Sequence, residues 1–246
     1  MPVSTVQTSK HGSSRQIECR EGGTLVDRRK MTNLVRSLER RFGTPAWNGP
    51  SDPLDSLIRT ILSQNTNDRN RDRAYDTLRE KYPTWEHVLR ARPEKIAEAI
   101  RTGGLANQKS VRLKAVLAWL KREHGALSFD SICSMGIDEA MESFGHLKGV
   151  GVKTLAVVMM FACGQDVFPV DTHVHRICRR IGLVPMNATA EKTFFLMREK
   201  VPHGMSYSLH MNMLALGRTI CQARSPKCEL CPIVSYCLTG QKHNEK

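Results

Sequence analysis

The sequence predicts an all-α protein. Two observations carry this: apolar residues recur at helical spacing along most of the chain, and no pair of alternating, β-rich runs stands out. Residues 1–26, rich in Ser, Gly, Thr and charge, read as a flexible tail. Met31, Leu34, Val35, Leu38 and Phe42 then fall on one helical face. Gly43, Pro45, Gly49, Pro50 and Pro53 break the chain. Leu54–Leu62 is a compact apolar stretch that predicts a buried helix, capped by Ser51 or Asp52. Asp68–Tyr82 predicts a charged helix. Further helices are expected at Pro93–Ile100, Gln108–His124, Gly136–Phe144, Val152–Cys163, Thr172–Ile181, Thr189–Lys200 and Ser206–Ile220.

The bulk properties narrow the function classes. With 246 residues, 40% of them hydrophobic, the chain is long enough for one large domain or two modest ones. No apolar run approaches the ~18 residues of a membrane span, and the polar N-terminus lacks a signal peptide's apolar centre. A reducing, cytoplasmic compartment is the expectation. There, Cys163 and Cys178, in apolar helical stretches, serve as small core residues. A net charge of +13 suits a polyanion, with nucleic acid the first candidate, and equally suits a basic protein kept soluble by its charge.

Four cysteines carry the sharpest chemistry. Cys221, Cys228, Cys231 and Cys237 lie within seventeen residues, spaced C-x6-C-x2-C-x5-C. Four thiolates this close can wrap an iron–sulfur cluster or a tetrahedral zinc. A zinc ribbon usually shows two C-x2-C pairs, and only Cys228 and Cys231 form one here, which favours the cluster.

The segment Leu147-Lys148-Gly149-Val150-Gly151-Val152-Lys153-Thr154 joins two expected helices. Gly149 and Gly151 permit positive φ and close approach of another backbone. The helix that follows is apolar nearly all round, so it should be buried with its N–H groups and partial positive charge directed outward. Such a hairpin can bind phosphate or can be a plain tight turn; the charge and the following lysine favour phosphate. Lys153 sits in the first turn, where the helix N-terminus and partial burial disfavour its ammonium form. A lysine in that state can form a Schiff base with an aldehyde-like carbon, or can simply bind phosphate. Asp171, in Phe168-Pro169-Val170-Asp171-Thr172-His173-Val174-His175-Arg176, suits an N-cap. The expected helix from Val152 runs outward roughly 18 Å, and residues 164–170 can span roughly 23 Å on the way back. Asp171 can therefore meet Lys153 across one cleft, as carboxylate partner to a nucleophile.

Together LKGVGVKT, VDTHVHR and the cysteine spacing resemble the endonuclease III branch of the helix–hairpin–helix DNA glycosylases, over about residues 28–237. The resemblance implies two helical domains flanking a cleft, one formed by 27–53 plus 166–246 and the other by 54–165 with the hairpin. It implies a [4Fe–4S] cluster on the four cysteines, Lys153 as Schiff-base lysine and Asp171 as catalytic aspartate. Adenine-excising relatives usually lack the lysine, so its presence points to a bifunctional glycosylase with lyase activity. Two stretches depart from the family pattern. Leu62-Ser63-Gln64-Asn65-Thr66-Asn67-Asp68 places Asn65 where L-S-x-Q-x-x-D has glutamine, with Gln64 just before it. Gly104-Leu105-Ala106-Asn107-Gln108-Lys109 resembles G-L-Y-N-x-K, with Ala106 replacing tyrosine and Leu105 at the wedge position that fills the base stack.

The residues expected to meet DNA are thus Gln64, Asn65, Leu105, Lys109, Gly149, Gly151 and His173. His173 can also order the cleft or satisfy a buried polar contact. Its spacing from His175 does not suit a shared metal on a helix. Arg176, Arg179 and Arg180 suit phosphate contact or a solvated basic face. The expected partner is double-stranded DNA with damaged bases or abasic sites, met by a monomer. The expected activity is excision of damaged pyrimidines followed by strand nicking. A monofunctional mismatch glycosylase and a non-catalytic DNA clamp are the alternatives.

Overall fold

The computed structural model describes residues 28–244, and no strand occurs among them. The expected tail lies outside the described residues. Twelve α-helices follow in order: α1 (Arg28–Phe42), α2 (Pro53–Ser63), α3 (Asp68–Lys81), α4 (Trp85–Arg90), α5 (Pro93–Ala99), α6 (Ala106–His124), α7 (Ile137–Phe144), α8 (Val152–Phe161), α9 (Thr172–Ile181), α10 (Ala190–Arg198), α11 (Ser206–Thr219) and α12 (Leu238–Asn244). The short α4 and α12 and several 3-10 turns were not expected from periodicity, because one or two turns give too few residues to show it.

Local chemistry sets the helix starts. Asp52 Oδ1 accepts from the Leu54 and Asp55 backbone N–H groups, and Pro53 opens α2. Asn67, Thr84 and Thr189 cap α3, α4 and α10 in the same way. Gly125 and Gly182, both at positive φ, end α6 and α9.

Packing places the functional segments. α2 lies against α3 and α8, while α5 packs on α6. α1 and α9 pack on α11, and α12 packs on α9. α8 sits deepest: Val152, Thr154, Leu155, Ala156, Val158, Met159 and Met160 are buried. Each large apolar side chain so buried stabilises by about 1.5–3 kcal/mol. Only Lys153, Val157 and Phe161 escape full burial along α8, and their spacing of four makes one stripe. α8 ends at Phe161, two residues before Cys163. Cys163 is therefore not a core residue as expected. It lies in the turn beyond the helix and forms a disulfide with Cys133, at a Cα–Cα distance of 5.2 Å. Cys178 is fully buried, as expected.

Candidate active site and cysteine cluster

The hairpin between α7 and α8 is a tight turn in which Val150 N–H donates to Leu147 O at 2.9 Å. Gly149 has φ +92°, the region that favours glycine, and a Cβ there would lie 3.0 Å from Cδ of the Arg112 side chain, which would have to shift. Gly151 departs from expectation: its φ is −100°, it precedes α8 as the N-cap, and nothing lies within 4 Å of a Cβ built on it. Its absent side chain matters for what approaches from outside, since it leaves the first N–H groups of α8 open.

Lys153 is exposed rather than partly buried, at the head of the α8 stripe. Asp171 caps α9, accepting from Val174 N–H through Oδ1 at 2.8 Å, which leaves Oδ2 outside the cap. Among the described residues the two form no ion pair. What relates them is His210 on α11, a residue that sequence reasoning missed. This imidazole is buried, and its Nδ1 lies 2.9 Å from Pro169 O. A carbonyl only accepts, so Nδ1 carries the proton and Nε2 is left as an acceptor. Burial pushes the His210 pKa down to about 4; Asp171 pulls it up, and Lys153 and Arg218 push it further down. Lys153, Asp171 and Arg218 thus all lie within electrostatic reach of one neutral histidine. Arg218 in turn pairs with Asp68 of α3 at 2.9 Å. No spacing rule marks His210, which sits within a largely apolar helix and reads as a core histidine.

Two further loops carry residues expected to meet DNA. Asn65 is exposed with φ 54°. Leu105 is 46% exposed with φ 48°. Gln64 is engaged at both ends: Nε2 donates to Gly149 O at 2.9 Å, and Oε1 accepts from Arg112 Nη1 at 2.9 Å. Lys109 corrects an expectation. It is 0% exposed, with Nζ donating to Leu62 O at 2.6 Å and Gly103 O at 2.7 Å, so it makes no surface contact.

The basic residues of α9 are also structural. Arg176 donates to Cys221 O and Gly217 O, and Arg180 donates to Gln222 O and Ala223 O. Both arginines hold the backbone of the cysteine segment, and neither forms the free basic face expected. Arg179 Nε is buried without a partner. His173 Nδ1 lies 3.1 Å from Arg176 Nη2, a polar contact inside the fold. His175 bonds Thr193, and burial lowers its pKa.

Cys221, Cys228, Cys231 and Cys237 line one hollow of about 330 Å³, open solvent included. All four are free thiols. Burial pushes the Cys231 thiol up to about 11, and the other three thiols add to the rise, so the four sense one another as like charges. A bound cationic centre relieves that repulsion. Among the described residues no three His, Cys, Asp or Glu side chains are placed to hold a single metal ion. Four thiols lining one hollow fit the all-thiolate ligation of an iron–sulfur cluster. Cys221 Sγ also accepts from Arg180 Nη1 and Cys237 Sγ from Gly240 N–H, both at 3.3 Å, the hydrogen bonds that tune thiolate-ligated clusters.

Comparison with known proteins agrees with this geometry. Residues 58–203 match the family model described as HhH-GPD superfamily base excision DNA repair protein. Residues 221–237, which begin and end on cysteines of the four-thiol hollow, match the iron–sulfur binding domain of endonuclease III, in keeping with a [4Fe–4S] cluster. The chain is 31% identical over 204 residues to endonuclease III of Thermotoga maritima, covering 83% of this chain and 90% of that one. It is 35% identical over 192 residues to a putative DNA glycosylase of Arabidopsis thaliana, covering 74% of this chain and 66% of that protein's length, just under two thirds. Among solved structures, a trapped endonuclease III–DNA covalent intermediate aligns with TM-score 0.75 at 26% identity, covering 88% of this chain and 98% of that one. A non-covalent endonuclease III–DNA complex aligns with TM-score 0.76 at 26% identity, covering 89% and 99%.

Proposed function

The chain belongs to the HhH-GPD superfamily of base excision DNA repair glycosylases, and from that premise we propose that it is a bifunctional DNA glycosylase and AP lyase acting on damaged pyrimidines in duplex DNA. The observation that carries the reading is an exposed Lys153 in the first turn of α8, together with Asp171, whose Oδ2 stays outside the α9 cap.

The chemistry follows from the groups available. The damaged nucleotide leaves the stack, so that its sugar can reach Lys153. Asp171 Oδ2 takes a proton from the Lys153 ammonium, freeing the Nζ lone pair to attack C1′ as the bond to the base breaks. The base departs with the bonding electrons. Ring opening gives a Schiff base between Nζ and C1′, which acidifies the C2′ proton. Loss of that proton expels the 3′ phosphate and nicks the strand. The hairpin and the N–H groups of α8 hold the backbone, while Asn65 and Leu105 occupy the opened stack. The cluster, when bound, gives the loop-rich cysteine segment the fixed shape its sparse core cannot supply. In this reading the protein acts as a monomer, with 54–165 as one domain and 27–53 plus 166–246 as the other, the cleft running between α8 and α11.

Borohydride trapping on a duplex with an oxidised pyrimidine tests the reading. Wild type is expected to form a covalent adduct and Lys153→Gln none. Asp171→Asn is expected to stay folded, since Asn caps nearly as well as Asp, and to lose most excision. Base release by wild type with no trapped adduct would mean a monofunctional enzyme.

A further inference from the structure

Lys109 is the one lysine among the described residues buried to 0% exposure. Burying an ammonium is costly, and here no carboxylate offsets it. Its acceptors are two backbone carbonyls from different parts of the chain. Leu62 O lies near the end of α2, three residues before Asn65. Gly103 O lies two residues before Leu105. Burial, with Arg112 nearby, lowers the Lys109 pKa to about 8, a sign that the site tolerates the cation rather than favours it.

Both segments that Lys109 ties down end in strained backbone. Asn65 and Leu105 are two of the three described non-glycine residues at positive φ. Such residues cost energy and persist only where their surroundings over-determine them. Both also project outward rather than into the core. One turn along the same face of α6, Arg112 holds Gln64, and Gln64 holds Gly149 O of the hairpin. α6 therefore anchors three segments, the two loops and the hairpin, through two side chains, Lys109 and Arg112.

We propose that Lys109 is a positioning residue that couples the two base-reading loops, fixing Asn65 and Leu105 at one spacing so that both enter the duplex together. This rests on the reading above that these two residues occupy the opened stack. A leucine at position 109 would fill the volume but leave both carbonyls without donors and the loops free to move separately.

The test uses the full chain with its cluster and a duplex carrying a tetrahydrofuran abasic analogue opposite 2-aminopurine. Binding of wild type is expected to raise 2-aminopurine fluorescence as the stack opens. Lys109→Met is expected to lose at least about fivefold of that rise while its affinity for undamaged duplex, set by the hairpin, stays within about twofold. A loss of both in parallel would mean a general folding role, and a full rise would mean no coupling; either overturns the proposal. Asn65→Ala and Leu105→Ala separate the two readings. If neither changes the signal, the stack-entry reading itself has failed. If they reduce it and Lys109→Met does not, only the coupling has failed. Should Lys109→Met not fold, Lys109→Arg takes its place: it keeps charge and donors but cannot fit a planar head between the two carbonyls. The same split is expected of it, and wild-type behaviour would overturn the proposal.

Discussion

Asp68 and Arg218 pair across two elements far apart in sequence: Asp68 Oδ2, in the first turn of α3, lies 2.9 Å from Arg218 Nη2 near the end of α11. The other carboxylate oxygen accepts from Arg71. α11 also carries His210, so the pair sets the loop before α3 against the wall that holds the neutral imidazole. Its side chains are 47% and 52% exposed, so solvent screens it.

Arg218→Gln should therefore cost at most about 1 kcal/mol of stability. Single-turnover excision, in contrast, should fall about tenfold, because small displacements at a reacting centre are amplified in rate. Thermal melts and a quench-flow excision assay check the two halves. A stability loss above about 2 kcal/mol, or unchanged excision, would make the pair merely structural.

The two hairpin glycines should respond in opposite ways. Gly149→Ala places a side chain at φ +92° and against Arg112, so it should lose more than about 1 kcal/mol of stability. Gly151→Ala meets no protein atom and should melt like wild type. It should nonetheless weaken binding to all duplex sequences alike, since its methyl stands between backbone and phosphate. Equal melting of the two variants would contradict the backbone geometry described here.

Helix content, the four-thiol hollow, the hairpin turn and the capping of α9 by Asp171 were legible because each rests on local pattern: periodicity, spacing, or a capping residue or glycine beside a helix start. What stayed hidden depends on contacts distant in sequence. Lys109 reads as a surface lysine until Leu62 O and Gly103 O are seen to close on it, from 47 and 6 residues away. Arg176 and Arg180 read as a basic face until their acceptors appear more than 40 residues later. His210 has no local signature: its hydrogen-bond partner is Pro169 O, 41 residues away, and the charges that act on it include Lys153 of α8 and Asp171 before α9. Cys163 was misplaced because α8 stops two residues earlier than its apolar run suggests.

Arg180 should govern how firmly the cysteine segment holds its cluster. Its guanidinium bonds Gln222 O, Ala223 O and Cys221 Sγ. Arg180→Gln should retain iron on purification and lose it several-fold faster to a chelator, as removal of outer-shell partners typically costs ~10–100-fold in affinity. Cys228→Ser should lower the iron content itself. The decay of the brown cluster absorbance measures both. An Arg180→Gln decay rate equal to wild type would show that the loop needs no external brace.

His210 should make the protein acid-labile within a defined window. Its folded pKa is about 4, against an ordinary value of 6.5. Between those values the unfolded chain binds a proton that the folded one refuses. Stability from this group is complete above pH 6.5 and is lost as pH falls towards about 4. His210→Asn keeps a donor near Pro169 O and does not titrate. It should be less stable than wild type at pH 7, because the smaller side chain leaves space among Phe161 and Phe168. Its disadvantage should then shrink as pH falls from 6.5 to 4, as wild type alone bears the cost of charging a buried imidazole. Groups distant from His210 titrate alike in both proteins and cancel in the difference. Denaturant melts of both at several pH values across the window measure it. Parallel curves would mean that His210 takes up its proton as readily folded as unfolded, and the neutral acceptor assigned to its Nε2 would be lost with that result.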